Sequence, residues 1–399
     1  MGGTSADVAL IKDGKAGVSF DQRVADFPVR LPMVDVKTIG AGGGSIAWFD
    51  RDGLLKVGPA SAGADPGPAC YGFGGTEPTV SDANLVLGRL SQRGLLNGEM
   101  ALDTKLSENA FAPISEKLGF TVERTALGVI VFVVANMVRA IRAVSVERGL
   151  DPRTFALMAL GGAGPLHAID VARVLDISYV IIPPTPGILC AQGLVVSDLK
   201  EDFVASDRIQ VDSNNVATIV SHVSMLTDRA VAWFEQENIS ADQRWLELHF
   251  DMRYVGQNFE LAVPVGETNI VSHKEFSIVT EKLMDAFYAA HEQAYGYFNP
   301  HDRAEVVNLR LTAWGRLKRA KLESHRVSEE MPAASGTRSI QFSAEGPVDA
   351  QIFHRDALVL GQRITGPAVV EQLDTTALIY PGDTAHVDEA HNLIIELTA

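Results

Sequence analysis

Between Thr154 and Leu199 the chain runs "TFALMAL", "GGAGP", "LHAIDVARVL", "SYVIIP" and "PGILCAQGLVVSDL". An apolar strand pattern gives way to a glycine loop, a helix, a second strand and a helix opened by proline. That order marks an α/β layer, in which helices cover the apolar faces of the strands they connect. Pro165 falls where the first helix begins, and its missing N–H matters little there because first-turn donors have no intrahelical acceptor. A glycine loop feeding a helix N-terminus also supplies free N–H groups and a partial positive charge, a setting suited to a nucleotide.

Two more glycine clusters precede this one. "MGGTSADVAL" carries Gly2, Gly3, Thr4 and Ser5, a turn whose N–H groups and hydroxyls can approach a phosphate. "GAGGGS", Gly40 to Ser45, fails the context test for a dinucleotide fingerprint, because a strand rather than a helix follows it. It reads as a β-turn, one that could face the same cleft. Each cluster taken alone is equally a tight turn that needs positive φ.

The 399 residues suit two or three domains. With 34 basic against 50 acidic residues the formal charge is -16, which argues against nucleic acid or an anionic membrane surface as the main partner. The two cysteines, Cys70 and Cys190, make no CxxC pair, which suits a reducing cytoplasm. No basic segment followed by an apolar run opens the chain, so no signal peptide is read. The most apolar run, Ala126 to Val138, falls short of the about 20 residues that span a bilayer and is read as a core helix.

Helices are expected over "TVSDANLVLGRL", with Ser81 or Asp82 as N-cap, over Asp103 to Gly119 and over Thr121 to Gly149. Further helices are expected up to Glu237 and over His273 to Tyr295. Texture shifts place a boundary between 200 and 212 and a weaker one near 325–337. Three parts result: 1–200, an α/β lobe; 210–325, an α+β part; and 337–399, a small β-rich part.

Asp7, Asp65 and Asp82 are the carboxylates nearest to the glycine loops. Each is placed to hold Mg²⁺ through water, or to serve as a turn residue or cap, and for Asp82 the cap is favoured. His167 sits one turn into the helix after "GGAGP", as a ligand contact or as a hydrogen-bonded helix-start residue. Cys190 lies in apolar surroundings early in a helix, and Cys70, in the Gly/Pro loop, reads as the more exposed thiol. No HExxH or zinc-finger spacing is present. "HEQAYGY" and "MRYVGQNFEL" set aromatics beside glycine, either to line a substrate pocket or to pack one domain on another.

"MGGTSADVALI", "GAGGGSIAWFD", "SAGADPGPACYGFGG", "TEPTVSDANLVLGRL", "LGGAGPLHA" and "PPTPGILCAQGL" together, in this order, resemble the hydantoinase A/5-oxoprolinase family. "RYVGQNFEL", "HEQAYGY", "VNLRLTAWG" and "GPAVVEQLDTT" look like that family's C-terminal region, so the resemblance covers essentially the whole chain. It implies an actin/Hsp70/sugar-kinase type ATPase lobe followed by an α+β region with a β-rich end. It implies ATP with Mg²⁺, used to phosphorylate the oxygen of a cyclic amide such as 5-oxoproline, a hydantoin or a lactam before hydrolysis. The alternatives are a subunit of an acetone- or acetophenone-type carboxylase, or a docking fragment without catalysis of its own. By the resemblance, Gly2, Gly3, Thr4 and Ser5 belong to a phosphate loop, and Gly161, Gly162 and Gly164 to a loop contacting adenosine. Asp7, Asp65 and His167 are the candidate catalytic residues. In the family an Asp precedes the Met of "MGGTS", and a further N-terminal lobe lies before it. Met1 is therefore read as an internal methionine, and the expected partners are that lobe or its separately encoded equivalent, a B-type hydantoinase subunit and a small cyclic amide.

Overall fold

The computed structural model describes residues 1–19, 22–24, 27–29, 33–268, 280–317 and 331–398. The expected start of a helix at His273 and the first residues of the 325–337 boundary lie outside the described residues. The chain divides into two compact units, Met1–Gln192 with Leu322–Ala399, and Gly193–Lys321.

The first unit opens with short antiparallel strand pairs, two of which bear on the site. Strand β1 (Ala6–Ala9) pairs with β2 (Val36–Ile39), and β3 (Ser45–Phe49) with β4 (Leu55–Ser61). Helices α1 (Val80–Val86), α2 (Thr104–Leu118) and α3 (Val122–Val144) follow. Asp103 caps α2 by accepting from Lys105 N, and Gly119 ends it in the left-handed conformation that favours glycine. Helix α3 is long and apolar enough to cross a membrane by length and composition alone. Its stripe of Ala126, Val129, Ile130, Val133, Val134 and Met137 is nevertheless buried, as in a core helix.

Next come β5 (Leu157–Met158), α4 (Gly164–Val174), β6 (Tyr179–Ile182) and α5 (Leu189–Val196), in the order that the sequence pattern suggests. β5 and β6 are parallel, as a strand–helix–strand crossover requires.

The second unit is a four-stranded antiparallel sheet of β7 (Leu199–Gln210), β8 (Arg244–Tyr254), β9 (Leu261–Thr268) and β10 (Ala304–Gly315), in the order β7-β10-β8-β9. Alternate residues such as Leu246, Leu248 and Phe250 point into a core shared with α6 (Val216–Gln236) and α7 (Thr280–Tyr295). His291, from "HEQAYGY", is fully buried among Tyr254, Phe287, Tyr295 and Tyr297, and its Nδ1 hydrogen-bonds the Tyr297 carbonyl at 2.7 Å.

The C-terminal strands return to the first unit. β11 (Gly336–Ser343), β12 (Gly346–His354), β14 (Ala368–Glu371) and β15 (Thr376–Ile379) form one sheet. β13 (Arg363–Thr365), β16 (Thr384–Val387) and β17 (Leu393–Glu396) extend the β5-β6 pair to five strands. The sequence reading sets 337–399 apart as a β-rich part; in the structure it completes the first unit. The reason is the open edge of β6: Val180 and Ile182 are buried, and β17 pairs with them antiparallel, Val180 opposite Ile395.

Arg89 ties these pieces together. Its side chain is 1% exposed. Nη1 donates to Asp170 Oδ2 at 3.1 Å, Nη2 to the Phe342 carbonyl at 3.1 Å and Nε to the Gln341 carbonyl at 3.3 Å. Asp170 also accepts the Tyr380 hydroxyl at 2.7 Å. A buried cation so partnered is costly to disturb from one side. Arg89→Ala should cost about 3–5 kcal/mol of stability in urea titrations, and Tyr380→Phe about 1–3, since it removes a single bond to a carboxylate. Equal costs would mean that the charge is not the keystone.

Candidate functional site

Three glycine loops meet at one place in the first unit. The Met1 carbonyl accepts from Ala163 N at 3.1 Å and from Gly164 N at 3.2 Å, and a Cβ on Gly161 would collide with that same carbonyl. Gly161 also has φ +80°, a conformation that glycine adopts without strain. On the other side, the Gly2 carbonyl accepts from Gly43 N at 2.9 Å and the Gly3 carbonyl from Gly44 N at 2.6 Å. A Cβ on Gly42 would run into the Gly3–Thr4 peptide. Backbone packs on backbone here, and side chains would hold the strands of chain apart.

A cleft of about 570 Å³ lies over this junction, lined by Gly2, Gly3, Gly43, Ser81, Gly162 and Ala163 among others. At Gly2 and Gly3 an added Cβ would meet nothing within 4 Å, so the open space begins directly at the backbone. The turn after β14 closes one side. Thr375 Oγ1 donates to the Gly162 carbonyl at 2.9 Å, and Asp374 Oδ2 accepts from Gly187 N at 2.6 Å.

Of the expected site residues, the structure brings Gly2, Gly3 and Gly162 to the wall of the cleft. Thr4 and Ser5 follow Gly3 but do not line it; Thr4 Oγ1 accepts from Ser61 at 3.4 Å. Gly161 and Gly164 lie behind the wall, against Met1. Two N–H groups at the start of α4, Ala163 and Gly164, are taken by the Met1 carbonyl. The helix end is thus partly consumed by the fold and is not wholly free for a ligand.

The carboxylates scatter. Asp7 is exposed on β1, where it accepts from Thr38 Oγ1 at 2.6 Å, and Asp65 is exposed in the Gly/Pro loop. Neither lines the cleft. Asp82 is not the N-cap of α1. Thr79 is, and Asp82 at the third helical position completes a capping box with it. The same buried carboxylate accepts from Ala69 N, Cys70 N, Thr79 N, Thr79 Oγ1 and Ser107 Oγ. It therefore organises the Gly/Pro loop. Its neighbour Cys70 is buried, and Cys190 is the exposed thiol, the reverse of the sequence reading. Burial, then the Asp82 charge, push the Cys70 thiol far above its ordinary range. Among the described residues no three His, Cys, Asp or Glu side chains are grouped to hold a metal.

His167 is fully buried in α4 and presents nothing to the cleft. Asn84 Nδ2 lies 3.4 Å from its Nε2. Burial, helped by the positive charge of Arg89, pulls its pKa down to about 3.

Sequence reasoning missed three features. Ser81, whose N donates to the Gly43 carbonyl at 2.7 Å, carries only the signature of a cap in the sequence. The 372–376 turn lies within "GPAVVEQLDTT", a stretch whose local pattern signals only strands and a turn. Arg93, the one Lys or Arg side chain on the cleft lining among the described residues, carries no local sequence signal.

Residues 1–203 match the sequence model of Hydantoinase/oxoprolinase, and residues 206–398 that of the Hydantoinase/oxoprolinase C-terminal domain. The chain belongs to the hydantoinase/oxoprolinase family. An uncharacterized protein of Methanocaldococcus jannaschii is 37% identical over 99% of this chain and 58% of its own length. Caprolactamase subunit alpha of Pseudomonas jessenii is 36% identical over 97% of this chain and 56% of its own length. The nucleotide-free structure of an acetone carboxylase, from work on ATP-dependent acetone carboxylation, superposes with a TM-score of 0.85 at 28% identity, covering 100% of this chain and 57% of that one. The chain thus spans a little over half the length of these relatives. Family members are ATP-dependent amidohydrolases or carboxylases, with mixed α/β folds like this one.

The buried histidine gives a pH prediction. Its folded pKa is depressed, so its cost is absent above about pH 6.5, the unfolded value, and grows as pH falls toward 3. Between pH 7 and pH 5 the fold should lose about 2 kcal/mol on this account. Denaturant titrations at both values should show His167→Gln losing less than the parent over the same interval. Parallel losses would assign the acid sensitivity elsewhere.

Proposed function

We propose that this chain is part of an ATP-dependent enzyme that activates the carbonyl oxygen of a small molecule, and that the reaction is hydrolysis of a cyclic amide. The observation that carries this reading is the convergence of three glycine loops on one cleft whose floor at Gly2 and Gly3 is bare backbone. The cradle fits a phosphate chain, because only a surface without Cβ atoms lets N–H groups come close to phosphate oxygens. The Gly3 N–H and the Ser81 hydroxyl would face the phosphates; Gly2, whose N–H donates to the Ser5 carbonyl at 3.0 Å, would give bare surface, and Gly162 and Ala163 the adjoining wall. ATP supplies a phosphoryl group that turns an inert amide oxygen into a leaving group, after which water opens the ring. The chain's own part is to position: Thr375 fixes Gly162, Asp374 fixes Gly187, and the Met1 carbonyl fixes the start of α4. Mg²⁺ enters as the companion of the nucleotide phosphates, held mostly by them and by water. We read the first unit as the half of an actin-like ATPase that carries the second phosphate loop and the adenosine loop. Its partners would be the rest of the A-type protein, as an additional lobe, and a B-type subunit. The name of the caprolactamase relative, a subunit alpha, supports a multi-subunit assembly.

A second reading, an acetone-type carboxylase subunit, is favoured by the TM-score of 0.85 to acetone carboxylase. Phosphate release stimulated by ε-caprolactam or 5-oxoproline in the assembled complex would support the hydrolase. Stimulation by acetone only with bicarbonate would support the carboxylase.

Gly3→Val offers a direct check of the cleft. Its side chain would enter open space, so the fold should keep its melting temperature within a few degrees. Calorimetric titration with ATP–Mg²⁺ should show affinity reduced at least tenfold. Unchanged affinity would place the nucleotide elsewhere.

A further inference from the structure

A second cavity, of about 640 Å³, opens between the turn that follows α1 and the edge of β11. Leu90, Ser91, Arg93, His354 and Glu371 line both it and the glycine cleft, so the two spaces share one partition. The second space is large enough for a small ring compound. We propose that it is the chamber for the carbonyl substrate, that it takes an uncharged amide or ketone, and that Arg93 in the partition is the cation serving both sides. The proposal rests on the ATP-dependent reading above and gives it a second site.

The wall chemistry argues for an uncharged guest. Leu85, Leu87, Pro347 and Ile352 supply apolar surface for ring carbons. Arg338 is already neutralised: its Nη1 lies 2.7 Å from Glu371 Oε1. Glu123 also lines the chamber, so the wall's charges balance: Arg93 and Arg338 against Glu371 and Glu123. A carboxylate entering here would find no surplus positive charge, whereas a carbonyl oxygen needs only a hydrogen-bond donor.

Arg93 is that donor. No hydrogen bond or ion pair engages its guanidinium among the described residues, and its side chain is exposed. On the glycine cleft it lies with Asp356, Glu371 and Asp374 as the only Lys or Arg among the described residues. In a chain of formal charge -16, a polyphosphate needs a local cation, and a guanidinium binds phosphate oxygens in a two-pronged fashion that also suits a carbonyl. A single flexible arginine in the partition therefore reaches the space on either side.

The test uses two probes on the full chain, ATP–Mg²⁺ by calorimetry and ring compounds by saturation-transfer NMR. Thr337 is exposed on β11 and lines the second chamber but not the cleft. Thr337→Trp should therefore reduce ε-caprolactam binding at least tenfold and leave ATP affinity within twofold. Ser339→Phe, on the same strand, repeats the test should the tryptophan disturb folding. Arg93→Ala should weaken both ligands about five- to tenfold, with Arg93→Lys recovering part of the ATP affinity alone. Caprolactam binding that is absent in the parent chain or untouched by both filling variants would overturn the proposal. Tenfold tighter binding of 5-oxoproline than of caprolactam would overturn the uncharged-guest assignment. Loss of ATP binding in the parent chain alone would instead overturn the nucleotide reading, because the caprolactam measurements stand without it.

Discussion

One buried cation holds the first unit's distant segments in register. Arg89 joins the turn after α1, the α4 carboxylate Asp170, and the carbonyls of Gln341 and Phe342 at the far end of the sequence. Arginine suits the task because its donors fan out in one plane and its charge does not titrate away on burial. Asp170, turned toward Tyr380 as well, makes α4 the common support for residues more than 200 positions apart. The glycine loop at the start of α4 takes its place from that support. Hence the geometry of a cleft built from bare backbone is secured by side chains that never face it.

The cleft itself follows from the removal of side chains. At Gly42 and Gly161 a Cβ would strike a neighbouring peptide, and at Gly43 it would come 2.9 Å from Ser81 Oγ. These glycines are packing requirements, whereas Gly2 and Gly3 border open space and are the ones that leave room for a ligand. The distinction divides a glycine-rich family pattern into structural and binding halves. It also explains why Gly161 and Gly164, grouped with Gly162 in the sequence, contribute to the site only by holding Met1 and α4 together.

Local pattern carried the strand–loop–helix order, the bounds of α2 at Asp103 and Gly119, the start of α3 at Thr121, and "GAGGGS" as a turn that could face the same cleft as "MGGTS"; α3 itself ends at Val144, ahead of the expected stop at Gly149. Those features depend on a few neighbouring residues, which is what periodicity and capping rules read. The pairing of β17 with β6 depends on residues more than 200 apart, and no local rule reports it. Asp82 was misplaced as a cap because the Thr79 hydroxyl takes that role and the carboxylate turns back to five donors. Cys70 was misplaced because a loop dense in Gly and Pro looks exposed, while this one is drawn inward onto Asp82. Arg93 was invisible for a third reason: an unpaired surface arginine is ordinary until the two cavities beside it are known.

The charge balance links these points. A strongly acidic chain gains nothing from long-range attraction for an anion, so recognition of phosphate has to be local. Peptide N–H groups offer partial positive charge that no acidic neighbour can neutralise by pairing, and they need no side-chain ordering to do so. The fold spends two such donors at the start of α4 on the Met1 carbonyl and the Gly2 N–H on the Ser5 carbonyl, which leaves Gly3, where the backbone is open, to carry the approach. A lone guanidinium then suffices as the mobile charge, provided that nothing on the protein competes for it. Arg338, nearby and already paired with Glu371, shows the alternative: a guanidinium fixed by its own carboxylate shapes the wall and is lost to the ligand.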